Sequence, residues 1–463
     1  MHLFLQPLLL LLLSPAAAQY TDQNFSIIPD YLKPYDSFLS AHSVYSVNTP
    51  RVDQLHGKTS DLLSFHQALI EIGVQERDSE LSSTISLIDA YVKNLGFSTS
   101  ITNVARSSHT LGVFGHEALE LDPYNSTGTS NLYIRKNPDA VPKVLLVSHI
   151  GDTSARLDPY ALPFSSLPGT VPYKLGVDKI YGSGSASFKS IIASQFISMS
   201  QLIESGKVSA DDVAMVVLAG DGTSTIPAES FYTRHFNASL VQAVIHGEPT
   251  DNNLVSKLSG LIIGVLKSRG KCGHAALVDA DFKPFSPGRT APVSSQRSPT
   301  YKSASSTLLD ALLMLSKKFS WHSEGSKIPA MNIMDLRTGA TEDTVPCEAN
   351  ATIAIRVPKN FPAAVSTIRK IVDSIPEVSM IFRRAYPLQQ LESTLKGFTK
   401  SVFSGISDSH AFHSKSSSIK RIMYGPGNPA NIGKPSEHIT KTSLIQAVID
   451  YETIILDILD TEA

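Results

Sequence analysis

Buried strands and amphipathic helices alternate through the first half of the chain. Over residues 78–95, apolar positions recur at steps of four and three, which predicts a helix that ends at Gly96. Continuous apolar runs, typical of strands buried on both faces, lie at 143–149, 213–219 and 240–245, and a further helix is predicted at 189–204. This order predicts an α/β fold with a doubly wound, mostly parallel sheet.

The pattern changes near residue 254. Strands are predicted at 261–268, 351–357 and 378–382, helices at 303–319 and 361–375, with an extra hairpin at the edge. This arrangement predicts an inserted α+β lid domain. A loop rich in Pro and Ser covers about 282–302. From residue 388 we expect a return to helix, then a short strand at 421–424 and a long helix at 442–459.

The N-terminus has the features of a secretion signal. An apolar run at 3–13 is followed by small residues up to Ala18, which predicts a signal peptide over residues 1–18 and a secreted, extracellular protein. A membrane anchor is the alternative, but the run is short for a bilayer and no other segment is apolar enough to span one. The other predicted boundaries are an irregular N-terminal arm at 19–76, the α/β domain at 77–255 and 385–463, and the lid at 256–384.

Cysteines, sequons and net charge agree with that compartment. The two cysteines, Cys272 and Cys347, predict one disulfide bond in an oxidising environment. Four Asn-x-Ser/Thr triplets are candidate glycosylation sites, at Asn24, Asn125, Asn237 and Asn350. A net charge of -2 and a pI near 6.7 argue against nucleic acid or an acidic membrane surface as a partner.

Candidate chemistry follows the buried strands, because ligands bind at the carboxyl ends of strands in such sheets. The first strand leads into His149-Ile-Gly-Asp152, the second into Asp221-Gly-Thr223, and the third into Gly-Glu248-Pro-Thr. A turn of sequence I-Y-G-S-G-S precedes one helix, G-K-C-G-H opens the lid, and V-P-C-E-A-N-A-T-I-A-I-R and Y-G-P-G follow later.

Together these motifs, from about residue 78 to the C-terminus, resemble the co-catalytic zinc hydrolases. That family includes glutamate carboxypeptidase, acetylornithine deacetylase, succinyl-diaminopimelate desuccinylase, aminoacylase and secreted fungal carboxypeptidases. The resemblance implies a zinc-binding α/β domain interrupted by a lid. It also implies two zinc ions held by five side chains, with a paired glutamate supplying the general base.

Most of the implied metal site is replaced in this sequence. His149 and Glu248 stand at two ligand positions, whereas the other three carry Ser187, Thr223 and Gly433. The general-base position is Gly222, although Glu437, a later residue of the family pattern, keeps its place. The aspartate that would orient the first histidine ligand is one residue late, at Asp152, and a slip of one residue turns a side chain to the opposite face. We therefore expect no zinc cofactor and no zinc-dependent hydrolysis.

The substrate-binding part of the resemblance is better kept. His274, Arg356 and the loop with Gly425 and Gly427 match positions that contact substrate, although Asp343 stands where the family often has Asn. This implies a peptide or N-acyl amino acid as ligand and a homodimer formed through the lid. Inheritance of these residues without present use is the alternative for each of them.

Two further hypotheses stay open. One is an active, divergent metallo-carboxypeptidase or amidohydrolase with a single or rearranged zinc site around His149 and Glu248. His410 and His413, three residues apart, could join such a site together with Asp408 or Asp221. The other is a purely structural protein whose lid binds a partner or a second copy of the chain.

Overall fold

The structure of the protein is a computed structural model. It describes residues 59–72, 79–104, 111–113, 116–118, 130–151, 171–220, 225–236, 239–274, 303–319, 330–339, 343–405, 407–412 and 419–460. The described helices are α1 (Thr59–Glu71), α2 (Ser79–Asn94), α3 (Phe188–Glu204), α4 (Ile226–His235), α5 (Ala304–Lys318), α6 (Phe361–Asp373), α7 (Ser409–Phe412) and α8 (Lys441–Asp460).

The described strands form several sheets. They are β1 (Ser98–Asn103), β2 (Leu111–Val113), β3 (His116–Ala118), β4 (Ser130–Arg135), β5 (Val144–Ile150), β6 (Lys174–Leu175), β7 (Lys179–Tyr181), β8 (Val213–Ala219), β9 (Ala243–Gly247), β10 (Leu254–Leu258), β11 (Gly260–Arg269), β12 (Gly273–His274), β13 (Met331–Arg337), β14 (Thr344–Val345), β15 (Glu348–Val357), β16 (Val378–Tyr386), β17 (Gln389–Gln390), β18 (Lys400–Phe403), β19 (Lys420–Tyr424) and β20 (His438–Thr440).

The central sheet has the order β1-β4-β8-β5-β9-β19. Strands β8, β5, β9 and β19 run parallel, and β4 and β1 add an antiparallel edge. Alternate residues of β5 enter different cores, because successive side chains of a strand point to opposite faces. Leu146 packs with α2, α3 and α8, whereas Leu145 packs with α4 on the other face. The predicted doubly wound, mostly parallel sheet is confirmed.

Helix α3 is buried along nearly its whole length, including its serines. A buried hydroxyl needs a hydrogen-bond partner, and in a helix the preceding turn can supply one. Ser194 donates to the carbonyl of Ser190 at 2.8 Å, and Ser198 donates to the carbonyl of Gln195 at 2.9 Å. These bonds let a helix with many polar residues lie inside the main core, where its first turn is fixed beside the strand ends.

A second sheet, with the order β13-β15-β11-β16, is antiparallel throughout. Its core is formed with α5 and α6, which cover one of its faces. Helix α5 begins where Ser303 accepts a hydrogen bond from the amide of Ser306 at 3.2 Å, as an N-cap residue should. A disulfide bond joins Cys272, before β12, to Cys347, before β15. The lid limits at 256–384 stay a prediction.

Two expectations about secondary structure are wrong. The predicted irregular arm contains α1, whose Phe65 stacks on Tyr91 at 4.0 Å and packs edge-on against Phe196. After residue 388 the chain first forms β17 and β18, which pair with β10 on its two sides, and the described helix before β19 is only the one-turn α7. Strands β17 and β18 have only two and four residues, so their structure depends on pairing with β10 rather than on local periodicity. Helix α1 has 13 residues, and its buried face packs against α3.

Several predicted features lie outside the described residues. They are the signal peptide, the Pro/Ser-rich loop at 282–302, and the sequons at Asn24, Asn125 and Asn237. None of the helices in the described part of the chain combines the length and the apolar composition that crossing a membrane requires.

Candidate functional site

His149 lies at the carboxyl end of β5 and is buried. Its Nδ1 is 3.6 Å from Oδ2 of Asp408, a buried carboxylate immediately before α7. A carboxylate therefore lies beside the His149 ring, while the late Asp152 lies outside the described residues. The carboxylate beside His149 comes from a different part of the chain, brought there by packing of α7 against α4.

Glu248, the second retained ligand position, follows β9 and is also buried. Strands β5 and β9 are parallel neighbours, so His149 and Glu248 lie at the same edge of the sheet. The charge of Glu248 affects the pKa of Tyr451 on α8. Burial chiefly raises the pKa of its hydroxyl, a hydrogen bond from Gln195 lowers it, and the Glu248 carboxylate raises it further.

Glu437 connects two of the substituted ligand positions. Its Oε1 accepts a hydrogen bond from the amide of Ala186, next to Ser187, and its Oε2 accepts one from the amide of Gly433, both at 3.2 Å. The carboxylate is almost completely buried. Through these two main-chain hydrogen bonds the carboxylate holds the two loops together.

The donors of the described residues do not fit a zinc centre. Catalytic zinc needs three protein ligands and one open position. His149 and Glu248 supply two ligands, Ser187 offers only a neutral hydroxyl, and Gly433 has no side chain. Among the residues that the structure describes, no group of three or more His, Cys, Asp or Glu side chains is arranged to hold a metal ion. Gly222, Thr223 and Asp221 lie outside that part of the chain.

The glycine loop after β19 packs tightly on the main chain of the site. A Cβ atom at Gly425 would lie 2.4 Å from the carbonyl oxygen of Glu248, and one at Gly427 would lie 2.2 Å from that of Ala186. Gly427 also has φ +90, which favours glycine. The loop that the resemblance places beside the substrate therefore contacts the backbone at Glu248 and Ala186 directly.

The lid contributes Arg356 and His274. Arg356 lies on β15, where its Nε donates to the carbonyl of Ser404 at 3.1 Å, and burial lowers its pKa. His274 is exposed on β12 and pairs with Thr344 on β14. The hydroxyl of Thr344 donates to the carboxylate of Asp343 at 3.1 Å. The structure therefore joins Arg356 to Ser404, four residues before Asp408, while His274 lies on a separate, small sheet.

His410 does not join His149 in a metal site among the described residues. Its ring stacks on Tyr386 at 4.3 Å, and its Nδ1 lies 3.2 Å from Nε2 of Gln389. Its proposed companion His413 lies outside the described residues. Sequence reasoning missed Tyr386 and Gln389, because an aromatic at the end of a strand and a glutamine after it carry no motif.

Sequence comparisons identify relatives over most of the chain. No family model matches it. A peptidase M20 domain-containing protein of Sordaria macrospora is 26% identical over 467 residues, which cover 96% of this chain and 96% of that protein. A protein of Aspergillus oryzae named as a probable carboxypeptidase is 24% identical over 417 residues, which cover 86% of this chain and 87% of that protein.

Solved structures of peptidases share the fold. The aminopeptidase PepT of Bacillus cereus matches with a TM-score of 0.54 and 14% identity, over 87% of this chain and 99% of that one. The M20 family metallo-carboxypeptidase Sso-CP2 of Sulfolobus solfataricus matches with a TM-score of 0.52 and 14% identity, over 86% of this chain and 98% of that one. The chain is thus a homologue of M20-domain proteins and probable carboxypeptidases, and it has the fold of the M20 metallopeptidases.

Proposed function

We propose that the protein is a secreted homologue of zinc carboxypeptidases that has lost zinc-dependent hydrolysis and keeps a cleft for a peptide or an N-acyl amino acid. The observation that carries the proposal is the bonding of Glu437. Its carboxylate ties together the loops at Ser187 and Gly433, where two metal ligands would be needed. A hydroxyl and a glycine cannot replace two charged or imidazole ligands.

The energetic cost of these replacements supports the loss of activity. Removing a general base costs roughly 10²- to 10⁴-fold in rate, or about 3 to 5 kcal/mol of barrier. Loss of the metal removes water activation and polarisation of the carbonyl, which is worth several kcal/mol more. Gly222 at the base position and Ser187 at the bridging position bring both costs together.

Retention of a binding cleft is supported by the fixed lid arginine. The hydrogen bond from Nε of Arg356 to Ser404 restricts the guanidinium plane. A guanidinium held in one orientation is suited to binding a carboxylate, the group that a peptide C-terminus and an N-acyl amino acid share. The close contact of Gly425 with the carbonyl of Glu248 fixes the loop that the resemblance places beside the substrate.

A second candidate function is hydrolysis at a single zinc ion. It is favoured by the burial of His149 and Glu248 at the ends of neighbouring parallel strands. In that case both residues would ligate the ion, which would act as the cofactor. Asp408 would orient the imidazole of His149, because histidine ligands commonly bond a carboxylate through their other nitrogen.

Elemental analysis decides between these functions. The secreted protein is dialysed against zinc, washed and analysed for metal. It is then assayed for release of the C-terminal residue from peptides and for hydrolysis of N-acyl amino acids. We expect no stoichiometric zinc and no chelator-sensitive hydrolysis. One or two zinc ions per wild-type chain, absent from both His149→Ala and Glu248→Ala, would overturn the proposal in favour of the single-metal enzyme. Zinc that remains in both variants is bound elsewhere.

We also propose a homodimer through the lid. Strand β13 is an edge of its sheet and exposes Ile333, Met334 and Leu336, while α5 exposes Leu309, Leu313 and Met314. Exposed apolar residues on an edge strand favour pairing with another chain. Sedimentation equilibrium should give a dimer that Ile333→Lys dissociates; a wild-type monomer at micromolar concentration would contradict this proposal.

A further inference from the structure

The four-stranded sheet β13-β15-β11-β16, here called the lid sheet, has one face that α5 and α6 do not cover. We call this face the open face. Along β11 it presents Leu261, Ile263 and Val265, which are buried, and then Lys267 and Arg269, which are exposed. Side chains two apart on a strand share a face, so this is one continuous surface. The open face is therefore covered at one end and reaches solvent at the other.

Asn350 lies at the solvent end of the open face. Its flanking residues Ala349 and Ala351 are buried in the lid core, so Asn350 points the opposite way. It is in register with Lys267 on one neighbouring strand and with Arg337 on the other. Both of these residues are exposed, and Asn350 itself is partly exposed.

The side-chain amide of Asn350 forms no hydrogen bond with any other residue that the structure describes. Thr352, the third residue of the Asn350-Ala351-Thr352 sequon, lies two positions on and shares the open face. A structural role would place such an amide in a hydrogen bond, because a strand interior is otherwise a poor place for asparagine.

We propose that Asn350 carries an N-linked oligosaccharide that covers the solvent end of the open face. The proposal rests on secretion, which is part of the proposed function. The amide Nδ2 of Asn350 forms a bond to C1 of a sugar on a lipid-pyrophosphate donor. The C1–O bond to pyrophosphate breaks, the lipid pyrophosphate leaves with the electron pair, and Nδ2 loses one proton.

The position gives this glycan a consequence beyond solubility. A bulky, hydrated oligosaccharide between Lys267 and Arg337 keeps other proteins off the open face. Of the surfaces that this sheet and its helices present, the β13 edge and the exposed side of α5 are then left for contact with another chain. Lys267 and Arg337 are both directly beside Asn350 in the register, so the glycan shields these two side chains.

The test uses the full chain expressed in a eukaryotic secretory host. Protein from the medium is treated with peptide-N-glycosidase in ¹⁸O water, and mass spectrometry reads the conversion of each sequon Asn to labelled Asp. We expect conversion at Asn350. Asn350→Gln should lose one glycan, and the matched control Thr352→Ser, which keeps the sequon, should retain it.

The outcomes separate this proposal from secretion. Conversion at Asn24, Asn125 or Asn237 with none at Asn350 overturns the glycan and leaves secretion standing. Retention of the chain inside the cell with no conversion at any sequon overturns the secretion on which both proposals depend.

Shielding has its own measurement. Acylation of Lys267 should be faster in Asn350→Gln than in the glycosylated protein, while the exposed Lys174 on β6 reacts equally in both. Equal rates at Lys267 in the two proteins would overturn the shielding.

Discussion

Replacing His66 with leucine tests how strongly the main core excludes charge. His66 lies on α1, is fully buried, and has no hydrogen bond from either ring nitrogen to a described residue. Burial, and to a smaller extent the positive charge of Lys189, lower the pKa of His66 from 6.5 to about 3. In the unfolded chain the same imidazole titrates near 6.5.

The sign of the pH effect follows from these two values. Below pH 6.5 the unfolded state binds a proton that the native state does not. The free energy of unfolding therefore decreases as the pH is lowered from 6.5, and it levels off near pH 3. Each pH unit in this window costs about 1.4 kcal/mol for one histidine. Between pH 8 and pH 5, His66 should therefore lower stability by about 2 kcal/mol.

Urea unfolding at pH 8 and at pH 5 measures this contribution. The packing change in His66→Leu is present at both pH values and cancels in the difference, so the wild type should lose about 2 kcal/mol more than the variant. Leu69→Val, on the same helix and equally buried, is the matched control and should keep the wild-type pH dependence. Equal losses for His66→Leu and wild type would refute the reasoning.

Two further predictions concern the backbone and the disulfide bond. Gly427→Ala should lower the free energy of unfolding by about 3 kcal/mol or more, because φ is positive there and the new Cβ would meet the Ala186 carbonyl. The control Gly206→Ala, also at positive φ but with open space around it, should lower the free energy of unfolding by only about 1 kcal/mol. Urea titration measures both. Replacing both Cys272 and Cys347 with serine should lower the free energy of unfolding by about 4 kcal/mol, because the disulfide bond closes a loop with a sequence separation of 75. An unchanged urea midpoint would contradict this.

The long buried elements could be predicted from local pattern. The apolar run at 213–219 coincides with β8, and the four-and-three spacing at 78–95 corresponds to α2 with Gly96 at its end. These signals are reliable because an element that is buried on one or both faces must carry the periodicity of its own backbone. Strands β17 and β18 could not be predicted because each is short and depends on pairing with β10. Helix α1 does carry helical spacing at Leu62, Phe65 and Leu69, a local signal that the prediction of an irregular arm overlooked.

The sequence placed His149 and Glu248 correctly at the ends of buried strands, since strand ends and turn motifs are local features. It did not identify which carboxylate accompanies His149. The one-residue slip at Asp152 predicts the loss of an orienting partner, whereas in the structure the carboxylate of Asp408, from a remote part of the chain, lies beside the His149 ring. Spacing along the chain cannot reveal such a contact, because it is made by folding two remote segments together.

The sequence by itself determined the order of elements, the doubly wound sheet and which family positions are substituted. Only the tertiary structure decided what the substituted positions do: the Glu437 carboxylate joins the amides beside Ser187 and at Gly433. It also decided that Asn350 faces solvent rather than the lid core. Periodicity is encoded in neighbouring residues, whereas hydrogen bonds and exposure depend on where remote segments meet, and no local pattern records that.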